Sequence, residues 1–443
     1  MTGSILLIIA LIALAYWRAN LLAAAVSMAL LTLAIAVFQL AGGGVIVLGL
    51  AVAAGLGLLA TTSLRRPWVS DPALAWFRRM VPKMSDTEQE ALDAGTVWWD
   101  GQLFSGDPDW NLLLTTPTPQ LRPDEQEFLD GPVETLCRML DDWQVRQDGD
   151  LPEEAWAFLR EQRFFSLIIG KQYGGRDFSA LANSAVVMKL ASRNLTAAIT
   201  VMVPNSLGPG ELLSDFGTQP QRDHYLPRLA RGEDIPCFAL TGPAAGSDAA
   251  AMPDKGVVCY GDWQGERVLG LRLTWDKRYI TLAPVATVLG LAFNTYDPDG
   301  LIGDKRELGI SCALVPVSTP GVWTGNRHLP VGSVFMNGPT RGNDVFVPME
   351  RVIGGQERLG QGWQMLMHCL AAGRAISLPA LGAAGAKLSA RYSGEYARIR
   401  KQFGMPIAYF EGVEEVLARI AGEAYRIDAA RQLTLSALAL GQK

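Results

Sequence analysis

From Ser4 to Ser63 the chain is almost continuously apolar, broken by Arg18 and by Gly42-Gly43-Gly44. Such a stretch has few structural options. Leu21 to Leu40 and Val45 to Leu64 each have about the length that crosses a bilayer as a helix, whereas Ile5 to Trp17 is short for a span of its own. A cleaved signal peptide would carry an early positive region and one apolar core. Here no charge precedes the first run, and the apolar stretch continues too long. A buried core hairpin is the competing reading. Arg65, Arg66, Arg78, Arg79 and Lys83 follow the last run, and the positive-inside rule then puts the remainder in the cytoplasm. The expectation is an anchor of two or three helices over residues 1–66, in the inner (cytoplasmic) membrane, with the soluble part facing the cytoplasm.

With 443 residues the chain has room for several domains. Its net charge of −5 carries no basic bias and points away from nucleic acid. Five cysteines are scattered without a C-x-x-C pair, which argues against a disulfide framework or zinc site and fits a reducing compartment. His224, His328 and His368 lie far apart in sequence, so a histidine-built metal centre has little support.

Residues 67–125 mix Pro, Trp and charge without a clean period; Trp98-Trp99 and Phe104 are expected to pack on a neighbour. From Pro123 the pattern turns helical, with Phe128, Val133, Leu136, Leu140 and Trp143 at helical intervals. Leu151-Pro152-Glu153-Glu154 reads as a helix start. Tyr173-Gly174-Gly175 closes that segment, and Ser179 to Asn194 reads as a long helix. Lys171 and His224 read as solvated surface residues.

Beyond residue 248 short runs rich in branched and aromatic residues alternate with Gly and Asp turns: Val257 to Tyr260, Val268 to Thr274, Tyr279 to Ala283, Thr287 to Asn294, Leu308 to Pro316 and Asn343 to Pro348. They suggest a small antiparallel barrel or sandwich. Helical pattern returns from Gly362 to Gln442. The fold class expected is α+β, with membrane helices followed by a helical domain (67–234), an antiparallel β-domain (235–357) and an incomplete helical bundle (358–443).

The stretch most suggestive of chemistry is Ile235 to Asp248, where the apolar run Phe238-Ala239-Leu240 breaks into Thr241-Gly242-Pro243-Ala244-Ala245-Gly246-Ser247-Asp248. A strand ending in a small-residue loop presents backbone N–H groups and hydroxyls to a flat, polar-edged cofactor or a phosphate. An ordinary strand-to-turn junction has the same composition.

This stretch resembles the flavin loop of the acyl-CoA dehydrogenase family, A-L-T-E-P-x-x-G-S-D, with Gly242 in place of the family's Glu. Three further segments resemble the family in order: Tyr173-Gly174-Gly175; Phe216-Gly217-Thr218 through Gly232-Glu233; and Trp275 to Thr281, similar to G-x-K-x-w-I-T. Phe346 to Gly354 is similar to the family's strand-closing V-P landmark. Tyr396 to Glu411 resembles Y-a-x-x-R-x-q-F-g-x-p-I-x-x-f-Q, with Glu411 in place of the Gln. The likeness covers roughly residues 150–440 and is greatest to the membrane-anchored bacterial FadE-type branch.

The resemblance implies FAD, held by Phe238, Leu240, Thr241, Gly246, Ser247, Tyr279 and Thr281. It implies that Arg400, Gln402 and Phe403 reach the FAD of a neighbouring subunit, hence a homo-oligomer. Ser247 and Arg374 are implied to lie at the acyl-CoA, where a buried arginine could pair with a carboxylate or order the active-site helix. The implied reaction, the first step of fatty acid β-oxidation, converts a saturated medium- or long-chain acyl-CoA to the trans-2-enoyl-CoA and passes electrons to an acceptor flavoprotein. The family's catalytic Glu has no counterpart at Gly373, and Tyr409-Phe410-Glu411-Gly412 is too early to be its base motif, so the base is expected beyond Lys443. An acyl-CoA oxidase, or an inactive flavin- or acyl-CoA-binding fragment, are the alternatives.

Overall fold

The computed structural model describes residues 2–93 and 95–442, and its contacts divide the chain into two compact units, Met1–Ser85 and Asp86–Lys443.

In the first unit the apolar stretch forms three helices, α1 (Thr2–Tyr16), α2 (Leu21–Val37) and α3 (Gly43–Ala60). The breaks fall at the residues that interrupt the apolar pattern. Asn20 caps α2 by accepting the Ala23 N–H at 2.8 Å, and Gly42 stands at the N-cap of α3. The approach of α2 to α3 requires glycine at 49, because a Cβ there would lie 2.5 Å from Thr32 Oγ1. Thr32 is itself fully buried and donates its hydroxyl hydrogen to the Met28 carbonyl at 2.7 Å. Leu22, Leu30, Leu33, Val47 and Leu48 point outward and are exposed. Within this unit α3 is long and apolar enough to cross a bilayer, by length and composition alone; α1 and α2 are shorter, at 15 and 17 residues.

The second unit opens with helices and short turns. Phe128, Val133, Leu136 and Leu140 are buried as their spacing predicts, but Trp143 is exposed. Trp99 is buried, its indole N–H donating to the Asp109 carbonyl at 2.8 Å. Phe104 is 95 % exposed, a correction to the expected packing of that aromatic. The helix expected from Ser179 runs Ala180–Ala191, with the Ser179 hydroxyl accepting the Ala182 N–H at its start.

The sheet that follows has seven strands: β1 (Pro236–Ala239), β2 (Lys255–Trp263), β3 (Glu266–Thr281), β4 (Val288–Tyr296), β5 (Glu307–Pro316), β6 (Val322–Thr324) and β7 (Asn337–Pro348). Their order is β1-β4-β2-β3-β7-β6, with β5 on the other edge of β4. The expectation of a purely antiparallel β-domain is corrected here, since β1 and β2 both run parallel to β4. The long excursion between β1 and β4 provides the crossover that a parallel pair needs. The separate runs Val268 to Thr274 and Tyr279 to Ala283 belong largely to one strand, β3, bent by register shifts at Leu273/Trp275 and Lys277/Ile280.

One consequence of this topology places the site. β1 and β2 share one edge of β4: Ala239 pairs with Leu291, and Lys255 with Asn294. The chain leaves that edge at residue 240 and returns at 254, so the small-residue loop issues from a seam in the sheet.

After β7 come two long helices, Gly362–Ile399 and Glu411–Ala439, joined by a tight hairpin of Lys401–Gln402 with Met405–Pro406. Gly362–Ile399 is also long and apolar enough to span a membrane, yet Met365, Leu366, Cys369, Ile376, Ala380 and Ala383 are buried in the interior of this unit. Lys387 Nζ lies 2.9 Å from Asp428, Arg431 Nε donates to Asp428 at 2.8 Å, and Arg431 Nη1 donates to Ser184 Oγ at 3.0 Å. Together these tie both helices to Ala180–Ala191.

Candidate functional site

The loop emerging from the seam is held against β3 by four hydrogen bonds. The Arg278 N–H donates to the Thr241 carbonyl at 3.1 Å. Lys277 Nζ donates to the Leu240 carbonyl at 2.7 Å and to Asp254 Oδ2 at 2.5 Å. Asp254 Oδ1 in turn accepts the Asp276 N–H at 2.9 Å. Lys277 is completely buried and the Asp254 carboxylate nearly so. Desolvation pushes the Lys277 ammonium below the usual lysine value, and the attraction of Asp254 opposes that shift. The pair fastens both ends of the loop excursion to one strand.

The family likeness of Trp275 to Thr281 gives Lys277 no role of its own. The strand pattern held the signal. Leu271, Leu273, Trp275 and Lys277 alternate onto one face of β3, and all four are buried. A lysine at the last inward position of such a series must find a carboxylate.

Within the loop the Gly242 N–H donates to the Ala245 carbonyl at 3.0 Å, closing a tight turn. A Cβ at Gly242 would sit 3.0 Å from the Asp276 carbonyl, so glycine lets the loop lie close to β3. The N–H groups of Ala244, Ala245, Gly246, Ser247 and Asp248 donate to no acceptor among the described residues. Gly246 and Ser247 are exposed, and a Cβ at Gly246 would meet open space. Phe238 and Leu240 differ from these: their side chains pack into the core, with the Phe238 ring lying over Gly290 of β4.

The second wall comes from the end of β3. The register shift after Lys277 puts Tyr279 at φ 59°, and its ring is 56 % exposed. The ring stands 4.7 Å, centroid to centroid, from His328, with the Arg278 guanidinium 5.3 Å from its centre. Thr281 Oγ1 accepts from Asn337 Nδ2 at 3.2 Å, and Asn337 Oδ1 lies 3.2 Å from His328 Nδ1. Thr281, Asn337, His328 and Tyr279 therefore form a continuous polar and aromatic strip. No local pattern in the sequence identifies His328 or Asn337 as members of it.

Arg374 is exposed and makes no ion pair among the described residues. The reason lies one residue earlier: a Cβ at Gly373 would sit 2.2 Å from the Ser206 carbonyl. Gly373 thus faces inward at closest approach, and the next residue turns about 100° away. No carboxylate side chain fits at 373 with this backbone. Beside these residues Ala371 and Ala375 line a cavity of about 250 Å³ with Trp98, Trp99, Leu433 and Ala437.

Arg400, Gln402 and Phe403 are exposed around the tight hairpin, and Phe403 is 94 % exposed at φ 53°. Among the described residues no hydrogen bond, ion pair or ring contact joins them to the loop at 241–248 or to Tyr279 and Thr281. Lys171 and His224 are exposed; Lys171 meets Asp124 at 3.6 Å.

Residues 122–233 match the family description "Acyl-CoA dehydrogenase, N-terminal domain", and residues 360–443 match "Acyl-CoA dehydrogenase, C-terminal domain". The chain is 30 % identical over 295 residues to the probable acyl-CoA dehydrogenase YngJ of Bacillus subtilis, covering 66 % of this chain and 72 % of that protein. The chain belongs to the acyl-CoA dehydrogenase family. A second relative, the probable acyl-CoA dehydrogenase FadE10 of Mycobacterium tuberculosis, is 31 % identical over 291 residues, which make up 66 % of this chain and 42 % of that protein. Another similarity, 51 % over 98 residues, is to a Proteus mirabilis protein named HemX, covering 22 % of this chain and 58 % of that one. The chain thus spans about half the length of the HemX and FadE10 relatives. In three dimensions it is similar to an acyl-CoA dehydrogenase from Geobacillus kaustophilus, with TM-score 0.64, 21 % identity, and 74 % and 82 % of the two chains covered. The helical segment, sheet and paired long helices are the family's fold.

Proposed function

We propose that the seam loop and the end of β3 hold FAD, and that the chain serves the dehydrogenation of a saturated fatty acyl-CoA to its trans-2-enoyl product. The observation that carries this reading is the fastening of Leu240 and Thr241 to Lys277 and Arg278, which sets a donor-rich loop beside an exposed aromatic platform. The residues fit the group. A run of backbone N–H groups without acceptors suits the polar edge of an isoalloxazine, and the exposed part of the Tyr279 ring suits its face.

Bound there, FAD supplies a hydride acceptor for the substrate β carbon. The protein's part is to position and to polarise. Thr241 and Thr281 offer hydroxyls at the rim of the loop and the end of β3, and Ser247 faces solvent where a thioester or CoA approaches. Fixed donors near a thioester oxygen stabilise enolate-like charge as the α proton leaves, at no cost of reorganisation. Gly373 excludes a carboxylate base from that position of the helix, so the proton acceptor belongs to another element. The apolar cavity beside Ala371 and Ala375 suits a hydrocarbon chain. An electron-accepting flavoprotein is the proposed oxidant of the reduced cofactor.

The exposed Arg400 and Phe403 favour a homo-oligomer in which they meet a second subunit's cofactor, Arg by paired phosphate contacts and Phe by stacking. The exposed apolar surface of α2 and α3 favours a membrane anchor. Flavin absorbance of the purified chain tests cofactor binding, and a folded, colourless preparation that takes up no FAD refutes it. Palmitoyl-CoA with an artificial electron acceptor tests turnover, and oxygen uptake in the same assay separates an oxidase from a dehydrogenase.

A further inference from the structure

Beyond α3 the first unit continues through a short turn, Thr62–Arg65, and a π-helical turn, Arg66–Ser70, into the helix Asp71–Met80. At 100° per residue, Ala73, Leu74, Trp76, Phe77 and Met80 fall within a stripe about 160° wide. Asp71, Ala75, Arg78 and Arg79 occupy the opposite side. No residue of this helix is buried. Leu74 is 49 %, Trp76 59 %, Phe77 61 % and Met80 65 % exposed, and Trp68 just before the helix is 75 % exposed. An apolar face so well segregated, and so little covered by protein, needs a partner.

Charge identifies the partner's chemistry. Arg78, Arg79 and Lys83 make no ion pair among the described residues, while Arg66 meets Asp71 only at 3.7 Å on the surface. Aromatic and aliphatic side chains on one face with arginines on the other suit the boundary between acyl chains and anionic headgroups. The face is also continuous in sequence with α3, whose Val47, Leu48 and Leu50 are exposed.

We infer that Asp71–Met80 is an interfacial helix that lies in the plane of an anionic lipid leaflet, with Trp76 and Phe77 inserted and Arg78 and Arg79 on the headgroups. The inference rests on the proposed membrane anchoring of residues 1–66 and adds to it a lipid-selective surface contact. That contact would fix where the catalytic unit leaves the bilayer.

The test uses the full chain in lipid nanodiscs, in a Cys259→Ser background because the other four cysteines are buried. An environment-sensitive fluorophore is attached in turn at Leu48→Cys, Phe77→Cys and Arg79→Cys. The expected result is blue-shifted emission at 48 in any lipid. In phosphatidylglycerol-containing discs position 77 is blue-shifted and quenched by shallow brominated lipid, while 79 remains aqueous. With Arg78→Gln and Arg79→Gln, the signal at 77 falls to its value in neutral lipid. A buried signal at 48 with equal hydration at 77 and 79 overturns the interfacial helix and leaves the anchor intact. A signal at 77 that resists lipid quenchers identifies protein as the cover and also overturns it. Hydration at 48 refutes the anchor itself, and the inference falls with it.

Discussion

Lys277 shows how one side chain governs a loop it does not belong to. Removing it by Lys277→Met leaves the Asp254 carboxylate buried beside an apolar chain, an arrangement that costs about 3–5 kcal/mol. A fall of that size in urea stability is expected, together with weakened FAD binding. The double variant Lys277→Met/Asp254→Leu separates the two effects. It recovers much of the stability because no lone charge remains, yet the Leu240 carbonyl and the Asp276 N–H have lost their partners, so flavin affinity stays low. Affinity recovering in step with stability would show that the pair does not position the loop. Gly373 is the other decisive residue. Gly373→Ala places a methyl against the Ser206 carbonyl and is expected to destabilise by about 1–3 kcal/mol as the helix shifts, read as a lowered urea midpoint.

At the scale of elements, the long helices depend on a small polar latch. Burial alone would raise the Asp428 carboxyl, but hydrogen bonds from Lys387 and Arg431 outweigh it and hold the group below the usual carboxylate range. A carboxyl depressed in the folded state contributes stability above its unfolded pKa. That contribution is lost as pH falls through the lower folded value. Stability of the wild type should therefore decline below about pH 4 by an increment that Asp428→Asn lacks, as measured by urea midpoints across an acid series. Equal pH slopes for the two proteins would remove the latch from the acid response. β3 makes a related point. Its two register shifts let one strand bury Lys277 and Trp275 and then turn Tyr279 outward, so anchor and platform, two residues apart, leave on opposite sides.

On the scale of the whole molecule, the exposed surface is as informative as the core. Arg400 and Phe403 are exposed, so a purely structural role predicts no effect when they are altered. Arg400→Gln and Phe403→Ala are each expected to leave the melting temperature of the FAD-free chain unchanged while weakening FAD binding about 10- to 100-fold, the loss of one charge-assisted contact or stacked ring. Unchanged affinity would refute the cross-subunit reading. The first unit makes a separate prediction: the full chain floats with lipid vesicles and stays with them through an alkaline carbonate wash. Release by that wash would refute a bilayer-spanning hairpin.

Local periodicity and loop chemistry made much of this protein legible from residues alone. The apolar helices, the helix capped by Ser179, the strand at Leu308 to Pro316 and the seam loop at 238–248 were all readable, because the type of each element shows in the order and spacing of its own residues. Family motifs extended that reading to the segment that carries Tyr279 and Thr281. Tertiary packing decided what proximity in sequence could not. It made β1 and β2 parallel to β4, turned Arg374 outward, and brought His328 and Asn337 to Tyr279 and Thr281. These outcomes depend on which distant backbone stands opposite, as the Ser206 carbonyl does at Gly373, and no local pattern encodes that.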